Sequence, residues 1–163
     1  MSLTVTDNSD IAILDLDGTI ALTHHRDYLI RDKSKRSKEA WELFYDLCYK
    51  DEPNIAVIRS MNAWISANKD IRIFTGRSAR VREKTHDWLF AHTDLLHSDI
   101  DRVLRMRPEG DNTEDTILKR RWFFEMPEEE RKRVVCVYDD RTRVVEMWRA
   151  LGLTCFQVAQ NDF

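Results

Sequence analysis

The sequence predicts an α/β domain, a single parallel sheet with helices on both faces, and three observations carry this. Short apolar runs recur along the 163 residues, separated by stretches in which apolar residues repeat at helical spacing. The runs are nearly continuous rather than alternating, as expected of strands covered on both faces. The first three of the four strong runs end in acidic or hydroxyl residues, at the strand ends where α/β sheets place their ligands.

The elements follow in order. Ile11–Leu16 (IAILDL) reads as the first strand, interrupted only by Asp15. Arg31–Arg36 is a charged loop, and Ala40–Tyr49 then carries Trp41, Phe44, Tyr45 and Cys48 at i, i+3, i+4 and i+7, the stripe of an amphipathic helix. Asn54–Ala67 follows Pro53 with Ile55, Ile58, Met61, Trp64 and Ile65 in register. Ile71–Phe74 is a strand running into Thr75-Gly76-Arg77, and Ala79–Ala91 is the next helix. Val103–Met106 is a weaker strand, with Val103 and Arg105 on one side and Leu104 and Met106 on the other. Asp115–Glu125 is helical, and Val134–Tyr138 (VVCVY) is a strand running into Asp139-Asp140. Thr142–Leu151 is a helix stopped by Gly152, and Leu153–Val158 closes the sheet. Trp41, Trp64, Trp88, Trp122 and Trp148 all fall within helical patterns and are expected in the core rather than as base-stacking platforms.

Composition narrows the class. With 42% apolar residues the chain can build one core, while 34% charged residues and apolar runs of only four or five leave no membrane-spanning helix and no membrane partner. The opening MSLTVTDNSD has no basic region followed by an apolar stretch, so no export signal is expected. Cys48, Cys136 and Cys155 are odd in number and lack CxxC spacing, which points to buried thiols in a reducing, cytoplasmic setting rather than disulfides or zinc. A net charge of −3 excludes non-specific nucleic-acid binding by bulk charge, so a nucleic-acid role has to be local, at an end or a phosphate. No glycine fingerprint of a dinucleotide site or of a P-loop occurs.

The chemistry gathers at strand ends. In Asp15-Leu16-Asp17-Gly18-Thr19, alternation places the two carboxylates on one side of an extended chain where the first strand leaves the sheet. If the ends bearing Asp15, Asp17, Thr75-Gly76-Arg77 and Asp139-Asp140 converge with Lys119, four carboxylates meet beside a hydroxyl, free N–H groups and an ammonium. Four clustered acids repel unless a divalent cation binds, and an all-oxygen site suits Mg²⁺.

In order and content these segments resemble the four motifs of the haloacid dehalogenase superfamily. Asp139–Phe163 is closely similar to the end of the 3′-phosphatase half of bacteriophage polynucleotide kinase–phosphatases, Arg105–Lys119 is similar to the arginine, Gly-Asp and lysine region of that half, and Arg26 matches an arginine after its first motif. The resemblance implies a Rossmann-like three-layer domain over residues 1–163, with a minimal helical cap at about 28–68 and no separate lid. It implies that Asp15 is the nucleophile and Asp17 the general acid, its pKa raised by neighbouring carboxylates. Thr75 and the N–H groups near Gly76 hold phosphate oxygens, Lys119 offsets charge as those oxygens crowd, and Arg26, Arg77, Arg107 and Arg141 contact phosphate or the substrate strand. Asp15 and Asp139 ligate Mg²⁺ by carboxylate and Asp17 by its backbone carbonyl, while Asp140 is either on the ion or one step behind it. Asp111 either orients an arginine or lysine or caps the following helix, and His24 and His25 read as polar surface. The implied activity is hydrolysis of 3′-phosphate ends of DNA or RNA in end repair, alongside a separate kinase or ligase partner. Two alternatives stand beside it: a phosphatase of small phosphorylated metabolites or nucleotides, and a non-enzymatic receiver-like phospho-aspartate switch, which the order of the motifs disfavours.

Overall fold

The computed structural model of the chain describes residues 9–161, so residues 1–8, where no export signal was expected, and residues 162–163 lie outside the description. The elements are β1 (Ile11–Leu14), β2 (Ala21–Leu22), α1 (Tyr28–Arg31), α2 (Lys38–Asp46), β3 (Glu52–Pro53), α3 (Ile55–Ser66), β4 (Asp70–Ser78), α4 (Arg82–His92), α5 (His97–Val103), β5 (Leu104–Arg107), α6 (Asp115–Glu125), α7 (Glu128–Lys132), β6 (Val134–Arg141), α8 (Thr142–Ala150) and β7 (Cys155–Asn161). Five strands form one sheet in the order β5-β4-β1-β6-β7, every neighbouring pair parallel. The expected α/β sheet is therefore present, with β1 at its centre.

Side-chain alternation splits the core into two layers. Ala12 and Leu14 of β1 join Ile71, Ile73, Leu104 and Met106 under α3, α4 and α5, represented by Met61, Leu89 and Ile100. Ile11 and Ile13 point the opposite way and join Phe74 and Val137 against Leu118 and Trp122 of α6 and Val144 and Trp148 of α8. A shift in the β1–β6 register, from Ile11↔Val134 to Ala12↔Cys136, lets Val134 and Val137 share that second layer.

Two strands outrun their apolar segments. β4 extends from Ile71–Phe74 through Ser78, and β6 from Val134–Tyr138 through Arg141. Polarity does not end a strand whose backbone still has a neighbour to pair with, so the motif residues leave the sheet rigidly held. Three helices escape the periodicity, α1 because four residues are too few to show one. α5 is short, with Leu96 N–H donating to the Asp99 carboxylate at its start (3.2 Å). The sequence EEERK of α7 has no apolar face, but its three glutamates in the first turn and Pro127 before them favour a helix start.

The connection order makes the site. From β1 the chain moves outward to β4 and β5, then returns to the other side of β1 as β6. The crevice at that reversal lies beyond the carboxyl ends of β1 and β6. Over it stands the insertion between β2 and β3, which pair antiparallel through Ala21↔Pro53 and Leu22↔Glu52. Within the 28–68 segment expected as a cap, α1 and α2 stand in this insertion. α3 instead packs Val57, Ile58 and Met61 on the sheet, as the crossover helix that a parallel β1–β4 connection requires. All three cysteines are free and buried, and no helix among the described residues is long and apolar enough to cross a membrane.

Candidate active site

Asp15 follows β1 directly, and its N–H donates to Tyr138 O at 2.9 Å, so its backbone is still fixed by β6. The chain then turns through Gly18, whose φ of +85° suits glycine. A Cβ at Gly18 would collide with the carboxylate of Asp140, and one at Gly76 would lie 2.5 Å from Oδ1 of Asp115. Both glycines are thus required by the close approach of an acid to backbone.

Asp15, Asp139 and Asp140 each offer a carboxylate oxygen within 4.8 Å of the others, all three residues buried. Lys119 enters this cluster from α6, its Nζ donating to Asp15 Oδ1 at 2.7 Å and to Asp139 Oδ2 at 2.8 Å. Thr19 Oγ1 lies 3.5 Å from Asp15 Oδ2 and 3.4 Å from Asp140 Oδ1. Asn161 of β7 donates to Asp140 Oδ2, and Arg141 N–H donates to Asp139 Oδ1 at 3.2 Å. Burial raises the Asp15 carboxyl well above its usual range; Lys119 opposes the shift, and Asp139 and Asp140 add to it. Burial, with Asp139 beside it, pushes Asp140 up to about 6. Burial works against the charged form of Lys119, but Asp139 and Asp15 outweigh it and hold the ammonium protonated. Three buried carboxylates, all oxygen donors and close enough to share one ion, form a set that fits a hard divalent cation.

Asp17 sits apart from that cluster. Its carboxylate accepts from Arg26 Nη2 at 2.7 Å, from Arg77 Nε at 3.1 Å and from Arg77 Nη2. The two arginines are in turn clamped by Asp51, which accepts from Arg26 Nε at 2.7 Å, Arg26 Nη2 at 2.6 Å and Arg77 Nη2 at 2.8 Å. His25 Nε2 completes the group, 3.0 Å from Asp51 Oδ1. Burial disfavours the charged form of Asp17, yet Arg77 and Arg26 overcome it and hold the carboxyl well below the usual carboxylate range. This corrects the raised pKa expected from neighbouring carboxylates. The charges nearest to Asp17 are guanidinium groups brought from two other segments.

A third group closes the far wall. Asp115, in the first turn of α6, accepts from Arg107 Nη2 and from Arg141 Nη1, the latter at 2.6 Å. Burial raises its carboxyl but Arg141, Lys119 and Arg107 prevail, and the net shift is downward. Arg107 Nε also donates to Gly76 O at 2.8 Å. Asp111 instead closes its own turn, accepting from Thr113 N–H at 2.8 Å, and meets Arg107 only through its backbone carbonyl at 3.2 Å.

Of the residues singled out in the sequence, Asp15, Asp17, Gly76, Arg77, Arg107, Lys119, Asp139, Asp140 and Arg141 line one cavity of about 790 Å³. Arg26 and Thr75 lie behind its surface, both 0% exposed, and Thr75 Oγ1 accepts from Arg77 N–H at 3.0 Å. Sequence reasoning missed Asp115 and Asp51. Asp115 had a usable signal, since it lies four residues before Lys119 and one helical turn puts both on one face. Asp51 had none, being one of two adjacent acids, with Glu52, at the end of a helical stretch. Three tryptophans are in the core as expected, Trp88, Trp122 and Trp148, and Trp64 packs against it. Trp41 departs from that expectation and lines the cavity.

A family model described as the polynucleotide kinase PNKP phosphatase domain matches residues 9–163. Over 154 residues the chain is 30% identical to a protein of Autographa californica nuclear polyhedrosis virus named as a bifunctional polynucleotide kinase/RNA ligase, covering 91% of this chain and 19% of that protein. A chain in the structure of the Pnkp1/Rnl/Hen1 RNA repair complex superposes with a TM-score of 0.73 at 29% identity, covering 100% of this chain and 48% of that one. A second structure of the Pnkp1/Rnl/Hen1 complex gives a TM-score of 0.70 at 28% identity, covering 100% of this chain and 52% of that one. The chain thus spans about a fifth of the viral relative and about half of each solved chain.

Proposed function

Because the chain belongs to the family of polynucleotide kinase phosphatase domains, of haloacid dehalogenase type, we propose that it is a Mg²⁺-dependent phosphatase of polynucleotide 3′-phosphate ends. The observation that carries the reading is Asp15, a buried carboxylate held between Lys119 and Thr19 at the floor of a cavity walled by arginines. The viral relative is named as a kinase and ligase, and the solved neighbours come from an RNA repair complex. Those names support nucleic-acid ends as the substrate class and a kinase or ligase as a partner acting on the same ends.

In this reading an Asp15 carboxylate oxygen attacks phosphorus in line, the bond to the 3′ oxygen breaks, and an aspartyl-phosphate forms. Water then attacks that phosphorus, releasing phosphate and restoring the carboxylate. Lys119 offsets charge on the phosphoryl oxygens, as do the N–H groups about Gly76. A divalent cation held by Asp15, Asp139 and Asp140, with the Asp17 carbonyl as a further donor, would supply positive charge against the phosphate. The leaving alkoxide needs a proton. Asp17 is ionised in the resting site, so the proton for the alkoxide arrives with the substrate as its monoanion, and in the second step the attacking water passes its proton to a phosphoryl oxygen. Arg107 and Arg141, tied together by Asp115, face the cavity and take the phosphate. Arg26 and Arg77, locked on Asp51 and Asp17, hold the acid in place.

The substrate test compares kcat/KM for one oligonucleotide bearing either a 3′- or a 5′-phosphate, beside a panel of sugar phosphates and mononucleotides. The 3′-phosphorylated form is expected to win. A small metabolite preferred by about tenfold or more, a difference of ~1.4 kcal/mol in transition-state stabilisation, would leave the chemistry and remove the repair reading.

Metal binding is expected to depend on pH in a stated direction. Asp140 has an ordinary carboxyl value of 3.8 and is pushed to about 6 in the fold. In that window the folded state holds more protons than the unfolded state, so without metal this group's contribution to stability falls as pH rises from about 4 to about 6. A cation needs the carboxylates ionised and relieves their repulsion, so the rise in Tm on adding Mg²⁺ should be larger at pH 7.5 than at pH 5. EDTA should cancel that rise and the activity together. An equal Tm rise at both pH values, or full activity in excess EDTA, would remove these residues as ligands.

A further inference from the structure

We infer that Trp41, stacked on Tyr45, is the platform on which the nucleobase next to the reacting phosphate stacks; this rests on the polynucleotide reading above and names a subsite for it. The helical stripe of α2 puts Phe44 inward and buried, with Cys48 buried in the turn that follows, and Trp41 and Tyr45 at its edge, both half-buried and both lining the cavity. Trp41 and Tyr45 are 5.7 Å apart between ring centroids with 29° between planes, a stacked pair. Phe44 meets the Trp41 ring edge-on at 83° and carries the Arg26 guanidinium over its own face, 4.0 Å from the centroid. The aromatic wall is therefore braced from behind by buried groups. Its inner end is fixed to the phosphate side of the site, because Tyr45 Oη donates to Gly76 O at 3.4 Å.

The cavity has two chemically distinct halves. The floor holds the carboxylate cluster and Lys119, which suit a phosphate and a cation. The cap side presents indole and phenol, which neither of those would use. A volume of about 790 Å³ exceeds what a phosphate group fills and leaves room for the rest of a nucleotide against that wall. A flat π-surface one phenol away from the phosphate loop suits a nucleobase, and suits every base, since each has a π-face. The Arg36 guanidinium stands over the Trp41 ring, 5.9 Å from its centroid, with its Nε donating to Ile30 O at 2.7 Å.

The test uses 3′-phosphorylated oligonucleotides that are identical except that one has an abasic 3′-terminal residue. In the wild type kcat/KM is expected to favour the base-bearing substrate by about tenfold, the factor that about 1.4 kcal/mol of stacking produces. In Trp41→Ala the preference should collapse towards one, and in Trp41→Phe most of it should remain. The preference is a ratio within one preparation, so it is insensitive to how much of a variant folds. A preference unchanged in Trp41→Ala, or absent from the wild type, would overturn the platform and leave the polynucleotide reading intact. If neither oligonucleotide is turned over while glycerol 2-phosphate is, the polynucleotide reading itself falls.

Discussion

Asp15→Asn is expected to fold with a near-normal Tm and to lose phosphate release to below about one part in a thousand of wild type. Asparagine keeps the shape of the side chain and an oxygen to accept from Lys119, which otherwise makes its bond to Asp139 at 2.8 Å. The charge lost was repelled by Asp139 and Asp140 and attracted by Lys119, so the effects on stability oppose each other. In the proposed mechanism what disappears is the anionic nucleophile. A neutral amide cannot form the acyl phosphate, and no other carboxylate has the same placement at the end of β1. Retention of more than a few per cent of activity by a clean preparation would take Asp15 out of the nucleophile's role. A large fall in Tm with the activity loss would instead make the residue structural.

Asp51→Ala is expected to be among the most destabilising single changes in the protein, on the order of 3–5 kcal/mol, because it leaves two buried guanidinium groups short of a counter-charge. Asp51 is 4% exposed and pairs with Arg26 and Arg77, which are 0% and 1% exposed. Its backbone carbonyl also accepts from Trp88 Nε1 at 2.9 Å, so the insertion between β2 and β3 is tied to α4 through the same residue. Denaturant unfolding would read the loss. A variant within about 1 kcal/mol of wild type would mean that Asp17 alone compensates both arginines. Asp51→Asn should be milder, since an amide oxygen still accepts one guanidinium.

The β-strands were legible because burial on both faces demands unbroken apolar runs, and IAIL and VVCV have few other stable uses. Alternation along an extended chain put Asp15 and Asp17 on one side, and both line the cavity. But β1 ends at Leu14 and the two carboxylates join different groups, Asp15 with Asp139 and Asp140 and Asp17 with Arg26 and Arg77. The short helices α5 and α7 were not legible, because seven and five residues give too few turns for a stripe to stand out. Trp41 was read as core because periodicity identifies the inward face of α2 without saying what it faces. Both Phe44 and Trp41 line the cavity, but Phe44 is buried at 4% exposure while Trp41 is left half-buried.

The sequence by itself determined the class of the fold, the central strand, the order of the acidic, hydroxyl and lysine segments along the chain, and hence the chemistry they can share. Each follows from local rules of spacing and burial. Only the tertiary structure decided which charges neighbour which. Asp17 is held ionised by arginines nine and sixty positions away, Asp51 locks both of them from the end of the cap, and Asp115 ties Arg107 to Arg141. Electrostatic interaction depends on distance in space and on the dielectric between the groups. Two carboxylates two residues apart therefore carry opposite shifts: burial raises both, Lys119 only partly opposes it at Asp15, where Asp139 and Asp140 add to it, and the two guanidinium groups overcome it at Asp17.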